Sequence, residues 1–105
     1  MKRGLAVVLV VTACFASIQV LHGAEKSGEA LFNEYCSACH AQGGNIINPQ
    51  KTLYRIDRMA SGIGKPQDIV KKMRSPGPRM PRFNRNMISD GDALKIGEYI
   101  VKTFN

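Results

Sequence analysis

The chain has no tryptophan, only two histidines and three cysteines, and 8 acidic residues against 15 basic ones. Each scarcity excludes something. A structural zinc site needs about four ligands, and the chain has a single Cys-x-x-Cys pair. No stretch alternates apolar and polar residues convincingly enough to read as a strand. No internal repeat, low-complexity block or nucleic-acid-binding motif appears, so the net charge of +7 does not point to DNA or RNA. With 105 residues there is room for one small domain. Domains of this size bury a limited core and often depend on a staple such as a metal or cofactor.

What is present begins with an export segment. Met1–Gly4 is short and positive, Leu5–Val11 is unbroken apolar sequence, and small residues follow, which is the layout of a secretory signal. We assign residues 1–23 to this segment and its tether, and 24–105 to the folded domain. Three endings are open for the leader. Val11-Thr12-Ala13-Cys14 resembles the lipobox of bacterial lipoproteins, which would make Cys14 the lipidated first residue and account for the odd cysteine. Phe15 and Ala16 would follow it, without the aspartate that retains enteric lipoproteins at the inner membrane, so the outer membrane is the expected destination. The rivals are simple cleavage near Gly23 or Ala24, and an uncleaved anchor over Gly4–Leu21, just long enough to span a bilayer.

Beyond the leader the pattern is helical. Ser27 is a plausible N-cap with Glu29 in the first turn. Gly28, Leu31, Phe32 and Tyr35 recur at helical spacing. Thr52–Met59 predicts a short helix with Leu53, Ile56 and Met59 or Ala60 on one face. Pro66 suits the first turn of a third helix, Gln67–Arg74, burying Ile69, Val70 and Met73. Ser75–Pro81 holds three prolines and cannot be helical. Ser89 and Asp92 open a last helix whose apolar face is Ala93, Ile96, Gly97, Ile100 and Phe104. The expected fold is all-α, about four short helices around one covalently bound cofactor.

The cofactor is read from Cys36-Ser37-Ala38-Cys39-His40, a C-x-x-C-H motif. Two thiols at this spacing add across the two vinyl groups of haem, and the adjacent imidazole reaches the iron. A thioredoxin-like redox pair would follow a strand, whereas this one follows a helix. One haem c is therefore expected, with His40 as an axial ligand. For the sixth position, His22 lies in the leader or tether. Met59, Met73 and Met87 fall where core packing is their default. Met80 stands in a loop between Pro78 and Pro81, where a thioether is held in one place. Met80 is the expected ligand, and an open sixth site is the alternative.

Together these residues resemble the class I c-type cytochromes, and within them the cytochrome c6 group, over Ser27–Phe104. Gly28 and Phe32 fall where the family's first helix meets its last, with Ile96 and Tyr99 answering. Asn48-Pro49-Gln50-Lys51-Thr52-Leu53 looks like the stretch after the family's haem motif, and Met80-Pro81-Arg82-Phe83 like its Met-Pro-x-Phe distal loop. The resemblance implies a class I cytochrome c fold and a Pro49 carbonyl that accepts the hydrogen bond of the axial histidine. It also implies an apolar wall including Leu53, Val70 and Phe83. The lipobox and the basic middle depart from the soluble photosynthetic carriers and look more like the membrane-bound c6-like cytochromes of metal-reducing bacteria.

The expected function is a monohaem electron carrier, not an enzyme, exported to the periplasmic side and tethered to the outer membrane through a lipid anchor. Nine basic residues between Arg55 and Arg85 face only Asp57 and Asp68 in sequence. That imbalance suggests redox partners with acidic docking surfaces, steered by residues such as Lys72, Arg79 and Arg82. Two alternatives remain at this stage. One is an open-site haem sensor or peroxidase; the other is a haem protein that regulates or assembles other membrane cytochromes.

Overall fold

The structure is a computed structural model and describes residues 25–105. The readings placed on the leader, including Cys14 and His22, lie outside the described residues. Five α-helices follow in order: α1 Gly28–Tyr35, α2 Ser37–His40, α3 Arg55–Ala60, α4 Pro66–Arg74 and α5 Asp90–Thr103. A 3-10 turn at Ala41–Gly43 follows α2. Among the described residues there is no strand, and no helix is long and apolar enough to cross a membrane.

Local chemistry sets most of these boundaries. The Ser27 hydroxyl accepts from the Ala30 amide at 3.1 Å, and the Ser89 hydroxyl accepts from Asp92 at 3.2 Å. Each satisfies a donor that the first helical turn leaves open. At α4 the Asp68 carboxylate accepts from the amides of Lys65 (3.0 Å) and Gly64 (3.2 Å), while Pro66 at the first position has no amide to satisfy.

α5 is the spine, with α1 crossing it on one side and α4 on another. Both crossings are close because glycine stands at the contact. A Cβ on Gly28 would overlap the Lys95 carbonyl, and one on Gly97 would sit 2.7 Å from the Pro66 carbonyl oxygen. Phe32, Tyr99 and Phe104 seal the α1–α5 side, with ring centroids 5.3–5.9 Å apart. The expected face of α5 is buried as read: Ala93, Ile96, Gly97 and Ile100 lie in the core, joined by Phe104.

Three sequence expectations need correction. Helix α3 begins at Arg55 rather than Thr52. The Thr52 hydroxyl donates to Asp57 and accepts from the Tyr54 amide, and these side-chain bonds compete with helix over residues 52–54. Its expected apolar face is also turned outward, with Ile56 80% and Met59 55% exposed, while Arg58 is buried at 3%. The Arg58 guanidinium decides this orientation by donating to the carbonyls of Leu53 (2.7 Å), Ile63 (3.3 Å) and Phe104 (3.3 Å). Finally, Met87 is exposed, and its neighbour Ile88 fills the core instead.

Candidate haem-binding site

The sequence runs directly from α1 into the cysteine pair. Cys36 caps α1 by donating its amide to the Phe32 carbonyl, and its own carbonyl then accepts from the amides of Cys39 (3.2 Å) and His40 (2.9 Å). The motif therefore coils into the short α2, which presents Cys36, Cys39 and His40 to one cavity. The two thiols are free of disulfide. A redox-active Cys-x-x-Cys needs a lowered thiol pKa, whereas burial pushes the Cys36 thiol up to about 11. The pair is poorly suited to dithiol exchange.

After α2 the chain doubles back through Gln42 and Gly43, both with positive φ (54° and 81°). Gly43 is needed twice over, for that left-handed conformation and because a Cβ there would lie 2.5 Å from the Phe104 ring. The turn delivers the Gly44 carbonyl to within 2.7 Å of His40 Nδ1. A carbonyl oxygen only accepts, so Nδ1 carries the proton and Nε2 keeps its lone pair for a metal. This corrects the partner expected from resemblance. The Pro49 carbonyl does not hold His40; Gly44, four residues beyond the histidine, does, and Pro49 is exposed. Asn45 holds the loop's shape by accepting from the amides of Ile47 and Asn48 at 3.0 and 2.9 Å.

The cavity has a volume of about 680 Å³, within the range of small-molecule and cofactor sites. Cys36, Cys39, His40, Leu53, Met80 and Phe83 all line it, six of the residues singled out from sequence. Val70 does not. It is half-buried against the core, and its helix offers Ile69, Lys72 and Met73 to the cavity instead. Ile96 and Ile100 of α5 and Ile63 complete much of the apolar wall. The site thus combines two thiols, an imidazole with a free Nε2, a thioether and an apolar lining, a donor set that fits covalent haem. A second groove, lined by Tyr54, Arg55, Ile56, Met59 and Asn105, offers the Met59 thioether but neither thiol nor imidazole.

Sequence reasoning missed Arg58, the only buried charged residue among those described, which also lines the cavity. Burial, with the like charge of Arg55 next, lowers its pKa. No sequence signal separates it from the surrounding basic residues, because only the fold brings three carbonyls to its guanidinium. The basic stretch is therefore less free than composition suggests. Arg58 and Arg74 donate inward, Arg85 pairs with Asp90, and Arg82 donates to the Arg74 carbonyl at 2.9 Å. Exposed Lys51, Lys72 and Arg79 remain at the cavity.

Comparison with known proteins agrees with this site. The family model described as cytochrome C oxidase, cbb3-type, subunit III matches residues 23–100. A cytochrome c6 from Cyanidium caldarium is 33% identical, with 96% of this chain and 94% of that protein covered. A cytochrome c6 from Synechocystis is 38% identical over 70% of this chain and 61% of that protein. Among solved structures, the outer membrane cytochrome OmcF from Geobacter sulfurreducens superposes with a TM-score of 0.74. It is 49% identical, with 75% of this chain and all of that one covered. The chain belongs to the class I c-type cytochromes as a cytochrome c6-like monohaem member, the family that binds one covalently attached haem c, and Cys36 and Cys39 stand in its attachment motif.

Proposed function

We propose that this protein carries single electrons between redox partners of the cell envelope, with haem attached at Cys36 and Cys39 and the iron held by His40 and Met80. The observation that carries this reading is the convergence of both thiols, His40 and Met80 on one largely apolar cavity. Bound haem supplies the one-electron Fe(II)/Fe(III) couple. The chain's residues do the rest. The Gly44 carbonyl fixes the tautomer and orientation of His40. Met80 offers a soft thioether that favours the reduced state. Leu53, Ile69, Met73 and Phe83 exclude water, and retention of both ligands in both states limits rearrangement on transfer.

Replacing Met80 with alanine tests the ligation. The ferric wild-type protein is expected to show a weak long-wavelength band from methionine sulfur to iron, and the reduced protein to bind carbon monoxide slowly or not at all. Met80→Ala loses the band and binds carbon monoxide readily. Its potential falls by roughly 0.1–0.3 V, within the approximately 0.8 V that axial ligation spans. A band that survives the substitution would overturn the assignment and favour another methionine. A wild-type protein without the band would favour the open-site sensor or peroxidase.

We assign docking to the cavity mouth, where Lys51, Lys72 and Arg79 are exposed. Redox encounters use small, weak interfaces, and their rates respond to screening over a Debye length of about 10 Å at 0.1 M salt. Electron exchange with an acidic partner is expected to slow at least several-fold between 10 mM and 200 mM salt. A rate independent of salt removes the acidic-partner reading.

Attachment at the outer membrane through a lipidated Cys14 belongs to the same proposal. It is supported by the lipobox-like Val11-Thr12-Ala13-Cys14 and by the likeness to a cytochrome whose own name places it in the outer membrane. The mass of the mature protein checks it: one haem, an N-terminus at Cys14 and an added lipid are expected. A mature protein beginning near Ala24 without lipid removes the anchor but not the carrier. Loss of other membrane cytochromes on deletion of the gene, with electron transfer intact in the purified protein, would favour the assembly or regulatory reading.

A further inference from the structure

The loop that carries Met80 has little structure of its own. Ser75 ends α4, and from there Pro76, Pro78 and Pro81 lack amide donors. The Met80 amide makes only a long bond of 3.4 Å to the Gly77 carbonyl. The loop is secured at its exit, where the Phe83 amide donates to the Met73 carbonyl at 3.0 Å. The side chain of Arg74, the last residue of α4, crosses that exit. Its Nη1 donates to the carbonyls of Phe83 (3.1 Å) and Ile88 (2.9 Å), and its Nη2 to the Asp90 carboxylate at 2.8 Å. The Arg74 carbonyl in turn accepts from Arg82 Nε. One guanidinium therefore ties the end of α4 to the residue that closes the Met80 loop, to the fully buried Ile88 and to the first residue of α5.

Two further facts mark this clasp as specific. The Arg74 side chain is 16% exposed, and its Nε is buried with no partner, the only such side-chain atom among the described residues. Three of its N–H groups are used, and only a planar fork reaches two carbonyls and a carboxylate together. The Asp90 carboxylate accepts the third bond, and hydrogen bonds from Arg74 and then Arg85 lower its pKa.

We propose that Arg74 is a positioning residue for the Met80 ligand: its clasp on Phe83, Ile88 and Asp90 holds the proline-rich loop closed over the cavity and keeps the sixth position of the iron filled. This rests on Met80 being that ligand. Phe83 lies only three residues beyond Met80, with Pro81 stiffening the path between them. Freedom at Phe83 therefore becomes freedom at the thioether. With the clasp intact the loop has one arrangement; with it broken, the iron loses its sulfur ligand for part of the time while the helices stay folded.

The test uses the haem-loaded full chain. Arg74→Gln and Arg74→Lys are compared with wild type, Met80→Ala and Lys71→Gln. The readouts are the long-wavelength ferric band, the rate of carbon monoxide binding to the reduced protein, and helical circular dichroism against temperature. Both Arg74 variants are expected to bind carbon monoxide at least tenfold faster than wild type. They should lose the ferric band at a temperature well below the loss of helix. Lysine does not rescue, because it keeps the charge but not the fork, and Lys71→Gln, an exposed position on the same helix outside the clasp, behaves as wild type. If Arg74→Gln does not fold, Asp90→Asn reads the same effect, with about a threefold faster rate. Wild-type rates in the Arg74 variants, or band and helix lost together at one temperature, overturn the proposal. If Met80→Ala keeps the band, the ligand reading fails instead, so the two failures are distinguishable.

Discussion

Cys36→Ser combined with Cys39→Ser yields a chain without covalent haem and without a stable fold. Half or less of the wild-type helical circular dichroism is expected to remain at 25 °C, and no haem should migrate with the protein after acid extraction. The cavity between α2, α4 and α5 measures about 680 Å³. Without haem the apolar side chains that line it lose their packing partner, at roughly 1.5–3 kcal/mol for each one left facing water. Several such residues together lose an amount comparable to the roughly 5–15 kcal/mol by which whole domains are stable. The core offers little compensation, since Ile69, Met73, Ile96 and Ile100 all face the cavity. A double variant that retained wild-type helix content and thermal stability would show that the polypeptide core suffices alone.

Gly97→Ala is expected to lower stability by about 2–3 kcal/mol, a fall in Tm of roughly 10–20 °C for a domain this small. On helix propensity alone the change should help, because alanine is favoured over glycine in a helix interior by about 1 kcal/mol. Packing decides the sign. The new methyl would stand 2.7 Å from the Pro66 carbonyl oxygen and 3.1 Å from Pro66 Cα. Both are backbone atoms, so α4 itself must move away from α5, and α4 carries Ile69, Lys72 and Met73 of the cavity wall. Gly91 in the same helix has nothing within 4 Å of its would-be Cβ. Gly91→Ala should therefore stabilise by about 0.5–1 kcal/mol through propensity alone. Thermal unfolding of the two variants side by side checks the argument. Equal gains in both would show that the α4–α5 crossing tolerates a wider spacing.

Much of the architecture was legible because it depends on neighbours in sequence. The caps at Ser27 and Ser89 act within three residues, so the starts of α1 and α5 could be read directly. The Cys36–His40 motif is equally local, since Ser37–His40 coil into α2 and three of the five motif residues, Cys36, Cys39 and His40, reach one cavity. Met80 stood out for a related reason, because prolines on either side leave a methionine little other use. The misreadings arise where a side chain answers to something distant. Ile56 and Met59 have the spacing of a buried face, yet they are exposed because Arg58 draws its own side of α3 toward Phe104, 46 residues away. Val70 has the right character for a cavity wall, but the rotation of α4 against α5 presents Ile69 and Met73 instead.

The histidine's partner shows the same division most clearly. By itself the sequence determined an all-helical c-type cytochrome and its two attachment cysteines, and it singled out His40 and Met80 as the expected ligands. Those choices follow from covalent spacing, helical period and the stiffness of proline, which act over a few residues. Only the tertiary structure decided that Gly44 rather than Pro49 accepts the His40 hydrogen bond, that Arg58 turns the polar side of α3 inward, and that Arg74 clasps the exit of the Met80 loop. Each of these depends on which backbone carbonyl is within about 3 Å of a donor, and that distance is set by how α1, α4 and α5 pack, not by the order of residues along the chain.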